Sequence, residues 1–460
     1  MYQSRAKLRT RTGCLRCRQR RKKCDETQPR CANCTRINLI CKWPSGNEPH
    51  DGRRGKRCQK NGSDDSIQSP LCLSIVKQPS SPIMPAPFNK EEYCYLYHQF
   101  ISTILPRLVR KSSIDQTYML CLAPDYPPLM GAMISVAGMQ IAPRPTWSVD
   151  CAIQSYLYTI AWLQKSIMVK KSTENDDSLL ATVILLSVFE ACRLDMAPNV
   201  APHTTASGYL LSQRQSQLSK RFTTTSTAIF DLICIESFIY HASLMMLFEP
   251  DLDILSSIRQ RLDIPLYFSH AKERDIALPV QPILQTSYKF FLLIADATKL
   301  ARISRHLIDA ERILWFHYWR ELSEWNQVDH ADDKSIELYY VALQILLLKK
   351  APDMSQQEQT LRLSECLQRG LKMFGSLAPE LYAPSYLLWP LAILGSISIF
   401  EEERKVTNSH INSLIQSRRG GQALWVQKRL ERVWDVTKFR ESYSISDMRL
   451  HGLQLLLDAS

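Results

Sequence analysis

Glycine is scarce, at 14 of 460 residues, against the ~7% of an average chain. No phosphate-binding glycine loop, G-x-S-x-G elbow or H-E-x-x-H helix occurs, so the familiar signatures of nucleotide-dependent enzymes, serine hydrolases and zinc proteases are missing. The pattern points away from an enzyme. Alternating apolar and polar stretches are also absent, which leaves sheet folds without support. The longest apolar runs, LLATVILLSVF (179–189) and YLLWPLAILGSISIF (386–400), fall short of the ~20 residues a membrane-spanning helix needs, and Pro390 interrupts the second. They are expected to be buried helices, with no membrane partner. The N-terminus is basic and polar, without the apolar core of a secretory signal. A chain kept in a reducing compartment seldom forms lasting disulfides.

What the sequence does have is concentrated near its start. Residues 1–60 hold 18 Lys or Arg against 4 Asp or Glu, while the rest of the chain is nearly neutral at −2. A local cationic patch of this kind is the footprint of a polyanion binder, most often nucleic acid. Inside it lies CLRCRQRRKKCDETQPRCANCTRINLIC (14–41), in which C-x2-C-x6-C occurs twice.

Clustered cysteines in a reducing compartment suggest metal. Two tetrahedral zinc ions need eight ligand positions, and Cys14, Cys17, Cys24, Cys31, Cys34 and Cys41 supply six thiolates. The count closes if two sulfurs bridge. The first cysteine of each repeat, Cys14 and Cys31, is the symmetric choice. Separate one-zinc fingers fit poorly, because no histidine lies within the cluster. The block RQRRKK (18–23) places five cations beside the sulfurs, favouring the thiolate form and metal binding. The remaining eight cysteines are scattered without ligand spacing and are expected to be mostly buried small hydrophobes.

The stretch resembles the fungal binuclear zinc cluster family of DNA-binding transcription factors. The resemblance rests on the six cysteines with their spacing, CRQRRKKCD (17–25), QPRC (28–31) and CKWP (41–44). It implies a nuclear, zinc-dependent regulator of RNA polymerase II transcription that takes double-stranded DNA and the transcription machinery as partners. It also implies two Zn²⁺ ions per chain and a first helix whose end enters the major groove. Arg18, Arg20, Arg21, Lys22 and Lys23 are then the DNA-binding residues. Arg20 and Arg21 would approach base edges, and Lys23 or Arg18 would contact phosphate. The family usually carries lysine where this chain has Arg21; arginine pairs with guanine through two hydrogen bonds. CGG-type elements are common family targets. The proline corresponding to Pro29 is often cis in the family.

The expected organisation is a basic arm (1–12), the zinc cluster (13–44), a flexible linker (45–88) rich in Pro, Ser and Asn, and an all-helical regulatory unit (89–460). No apolar heptad seam follows the cluster, so a homodimer would form through the helical unit. Helical periodicity appears over 91–111, 148–171 with Ser148 as N-cap, 175–194, 224–248, 280–303, 307–323, 334–350, 356–374, 384–403, 423–437 and 445–458. HTTASGYLL (203–211) and YLLWPLAILGSISIFEEER (386–404) resemble the fungal-specific transcription factor region, over roughly 90–440. ILWFHYWRELSEW (313–325) gathers aromatics around His317; such a stripe is more often helix core than an effector pocket. His203 and His241 are expected to pack or face solvent. The last segment, 444–460, is amphipathic and expected to dock on the unit. A second reading makes the helical unit a metabolite sensor or adaptor, with the cluster as its chromatin anchor.

Overall fold

The computed structural model describes residues 13–15, 17, 22, 24–36, 41 and 43, and then 90–109, 117–141, 145–168, 177–193, 199–221, 224–249, 253–273, 283–284, 286–325, 334–377, 384–418, 421–437 and 444–458. The chain divides into two compact units, Met1–Val76 and Lys77–Ser460. The expected arm (1–12) and linker (45–88) lie outside the described residues, as do Cys58 and Cys72.

In the N-terminal unit the cysteines are the core. Cys14, Cys17, Cys24, Cys31 and Cys34 are buried, with Cys41 and Trp43 packed against them. The described residues of the larger unit are mostly helical, and no strand occurs among them. Its centre is built from helices apolar nearly all round: Pro127–Gln140, Asp177–Cys192, Thr225–Phe248 and Leu388–Ser396. Such helices have no polar face to turn to water, so they end up enclosed. Thr225–Phe248 is long and apolar enough to cross a membrane by length and composition, yet most of it is buried in this core. Amphipathic helices such as Gln356–Phe374 and Tyr288–Arg302 cover it, each burying one stripe.

Capping chemistry sets several helix starts. Thr224 accepts a hydrogen bond from the Thr227 N–H at 3.3 Å, and Asp253 one from Ser256 N–H at 2.9 Å. Ser355 accepts from Glu358 N–H at 3.2 Å; a serine followed three residues later by glutamate is the sequence signature of a capped start.

Four expectations need correction. Ser148 does not cap its helix, which begins at Thr146. Its hydroxyl donates instead to the carbonyls of Pro145 (2.8 Å) and Gly138 (3.2 Å). The first long helix is interrupted: Lys90–Gln99 passes into a π-turn, Phe100–Ile104, and then Leu105–Leu108. Pro106 has no N–H to donate and its ring crowds the preceding turn, which shifts the hydrogen-bond register.

The helix expected over 384–403 ends at Ser396, and a new one starts at Glu401. Glu403 makes the break, because its Oε2 accepts from the N–H groups of Ile399 (2.9 Å) and Phe400 (3.2 Å). Finally, helices Pro127–Gln140, Ala201–Arg214, Ile254–Arg259 and Ile264–Glu273 are additional to those expected. The first begins with two prolines and contains Gly131 and Gly138, which lower helix propensity; close packing against Thr146–Met168 overrides that.

The Asp309–Trp325 stripe divides between core and surface. Trp315 and Leu322 are buried, whereas Phe316 is 53% exposed. His317 sits at the edge, 3.4 Å from Glu321. Helix Ile445–Asp458 docks as expected, burying Met448, Leu453, Leu456 and Leu457.

Candidate metal centre and nucleic-acid interface

The two C-x2-C-x6-C repeats fold in parallel ways. Leu15 and Cys17 have helical backbone, and Lys22 N–H donates to the Cys17 carbonyl at 3.0 Å. In the second repeat Cys31 precedes the short helix Ala32–Thr35. Each repeat closes on itself through one hydrogen bond between equivalent residues. Cys14 N–H donates to Cys24 Sγ at 3.3 Å, and Cys31 N–H donates to Cys41 Sγ at 3.2 Å.

The sulfurs gather into two groups of four, Cys14, Cys17, Cys24, Cys31 and Cys14, Cys31, Cys34, Cys41, with the ligand atoms of each group within 4.8 Å of one another. Cys14 and Cys31 belong to both. Among the described residues no other set of histidines, cysteines or carboxylates gathers in this way.

Distances allow a test of fit. Zn–S bonds of ~2.3 Å at tetrahedral angles put ligand sulfurs about 3.8 Å apart. Here Cys14 and Cys31 are separated by 3.8 Å, Cys14 and Cys34 by 3.8 Å, and Cys17 and Cys31 by 3.5 Å. Backbone N–H groups also point at the sulfurs, Cys17 N–H at Cys14 Sγ (3.4 Å) and Glu26 N–H at Cys24 Sγ (3.4 Å); such donors steady metal-bound thiolates.

Proton affinities show why cations are needed. Burial, then the neighbouring sulfurs, push the Cys34 thiol up to about 12. Burial would raise Cys31 as well, but the Cys34 backbone N–H and nearby thiols bring it down to about 6. Six thiolates this close repel one another. Divalent ions between them remove the conflict and hold every sulfur deprotonated.

Two further residues organise the knob. Asp25 Oδ2 accepts from Thr27 Oγ1 (2.6 Å) and from Ala32 N–H (3.0 Å). Those bonds, Thr27 first, lower the Asp25 pKa. Trp43 Nε1 donates to the Pro29 carbonyl at 3.1 Å, fixing the end of the cluster to the inter-repeat loop. The Gln28–Pro29 bond is cis, and Glu26 has φ 63°. Asp25 and Trp43 fall within the motifs CRQRRKKCD and CKWP, but their spacing alone assigns neither a role. Asp25 reaches the Ala32 N–H across seven positions, a contact that no local capping pattern marks.

Of the cationic block, Lys22 is described and exposed, while Arg18, Arg20, Arg21 and Lys23 lie outside the described residues. Outside the cluster, Cys151, Cys192 and Cys234 are buried, Cys366 is half-buried, and Cys94 and Cys121 are exposed. His203 is half-buried, and burial lowers its pKa.

A sulfur-lined knob built for divalent metal, followed in sequence by an all-helical unit, defines a class of zinc-cluster proteins. Residues 12–48 match the fungal Zn(2)-Cys(6) binuclear cluster domain, which is zinc-binding. Residues 92–446 match the fungal specific transcription factor domain, and because that match spans most of the chain, the chain belongs to this family. Zinc cluster transcription factor CZF1 of Candida albicans is 53% identical over 45 residues, 10% of this chain and 12% of its own length. Transcription factor lfc1 of Flammulina velutipes is 40% identical over 74 residues, 16% of this chain and 25% of its own. Transcriptional regulatory protein moc3 of Schizosaccharomyces pombe is 40% identical over 75 residues, 16% and 15% of the two chains. The chain thus aligns with a quarter or less of these relatives' lengths. No solved structure matches it significantly.

Proposed function

We propose that this protein is a zinc-dependent, sequence-specific DNA-binding regulator of RNA polymerase II transcription, acting in the nucleus. The observation that carries this reading is the pair of sulfur groups sharing Cys14 and Cys31, with a block of five cations in six positions between Cys17 and Cys24 in the sequence. Cys14, Cys17, Cys24 and Cys31 would hold one Zn²⁺, and Cys14, Cys31, Cys34 and Cys41 the other. The ions supply cross-linking in a knob too small for an apolar core of its own.

The fixed knob presents its cations to a polyanion. Arg18, Lys22 and Lys23 supply phosphate affinity. Arg20 and Arg21 read base edges, with CGG-type triplets suited to arginine–guanine pairing. The helical unit is the regulatory part, the surface for any homodimer and the contact for transcription machinery.

The test is binding of the zinc-loaded full chain to CGG-containing and scrambled duplexes at several salt concentrations. A preference for CGG that Arg21→Ala weakens, by ~1–3 kcal/mol of discrimination, supports the reading. Equal affinity for both duplexes removes the sequence-specific part. Lys22→Ala should reduce the salt slope by about one while leaving the preference intact.

A further inference from the structure

The helical unit holds a partly open cavity of about 120 Å³ beside the Asp177–Cys192 and Thr225–Phe248 helices. Leu185, Val188, Phe230 and Ile233 give it an apolar wall, and Tyr386 borders it from a later part of the chain. Native cores leave few voids larger than a water molecule. A dry apolar hole of roughly 150 Å³ accommodates a benzene ring, so the size here suits one small ring.

Polar groups interrupt that wall, among them Tyr118, Gln140, Tyr240, Ser237 and His241. Ser237 is 5% exposed and lines the cavity; its hydroxyl makes no hydrogen bond among the described residues. A hydroxyl that faces a cavity without a protein partner can donate to or accept from a ligand oxygen. One helical turn on, His241 also lines the cavity. Its ring meets Tyr240 edge-on at 5.2 Å and has no hydrogen bond or ion pair among the described residues. Burial lowers its pKa to about 4, so the imidazole is neutral and offers one donor and one acceptor. Arg107 also borders the cavity but is only half-buried, so water can solvate it. A carboxylate drawn into the apolar interior would lose its own hydration.

We propose that this cavity is a ligand site for a small, uncharged, single-ring molecule carrying one hydroxyl or carbonyl oxygen, with the ring against Val188 and Phe230 and the oxygen hydrogen-bonded by Ser237 and His241. It goes beyond the DNA-binding reading and does not depend on it.

The test titrates the zinc-loaded full chain, without DNA, with benzene, phenol and benzoate, read by calorimetry and by the melting temperature of the helical unit. Phenol should bind saturably and about fivefold more tightly than benzene, as one net hydrogen bond requires. Ser237→Ala and His241→Phe should each bring phenol toward benzene, with melting curves of the unliganded variants confirming that both fold. Three results would overturn the site: no saturable binding of phenol or benzene at millimolar concentration, benzoate binding more tightly than phenol, or a phenol-to-benzene ratio that neither variant changes. Because no DNA is present, failure of specific DNA recognition leaves the outcome readable.

Discussion

The sulfurs of Cys14 and Cys31 stand 3.8 Å apart and are common to both groups of four. The other four cysteines each belong to one group. Changing a shared ligand is therefore expected to be worse than changing a private one. Cys14→Ser or Cys31→Ser should leave less than one zinc per chain by elemental analysis. Cys24→Ser or Cys41→Ser should leave about one. Equal losses for all four variants would rule out sulfur bridging. The melting of the helical unit should not change, since that unit has its own core.

Gly138 is expected to tolerate no side chain. A Cβ there would lie 2.3 Å from the Ser148 carbonyl oxygen and 2.8 Å from Ala152 Cβ. Backbone on the facing helix cannot swing away, so Gly138→Ala should cost about 1–3 kcal/mol of stability. Gly375 is the control, because a Cβ there meets only the Lys372 carbonyl oxygen at 3.5 Å and its φ is −62°. Gly375→Ala should be neutral or stabilise by up to about 1 kcal/mol. Urea melts of the two variants check the contrast.

The metal cluster was legible because ligand chemistry is local: residue type and spacing settle it within 28 positions. The cysteine groups emerge with the shared pair that simple counting requires. Helix positions were legible where an apolar stripe or a capping residue marked them, as in Gln356–Phe374. Pro127–Gln140 was not, because its glycines serve contacts with a helix the sequence cannot place beside it. Neither was the break at Ile397–Phe400, which depends on Glu403 reaching back to two N–H groups. The cavity was invisible for the same reason, since its wall comes from segments as distant as Leu105 and Tyr386.

Arg449 and Glu403 secure that break. Arg449 is 3% exposed, pairs with Glu403 at 2.8 Å and donates to the Ile397 carbonyl at 2.5 Å. Arg449→Ala should destabilise the unit by about 3–5 kcal/mol, the usual penalty for stranding one partner of a buried pair. Glu403→Gln keeps an oxygen for Ile399 and Phe400 and should cost less. Chemical denaturation of both variants orders them.

Glu236 gives the helical unit a pH signature. Burial pushes its carboxyl up to about 8, despite hydrogen bonds from the N–H groups of Ile283 (2.8 Å) and Leu284 (3.2 Å) that oppose the shift. The folded state then holds a proton that the unfolded chain releases above about 4.5. Stability should fall as pH rises from about 4.5 to about 8, by at most about 5 kcal/mol. Below that window both states are protonated and the contribution is constant. Glu236→Gln should flatten the dependence; an unchanged slope of unfolding free energy against pH would discard this assignment.

Arg429 has a consequence for genetics. Its guanidinium donates to the Phe248 carbonyl and the Leu456 carbonyl, both at 3.1 Å, riveting the end of the central helix to the last one. A nonsense allele stopping before Gln454 would remove far more than a tail. It would strip one of those acceptors and uncover the seats of Leu456 and Leu457. A screen would score such an allele as a loss of function even though every codon for the cysteine knob was intact.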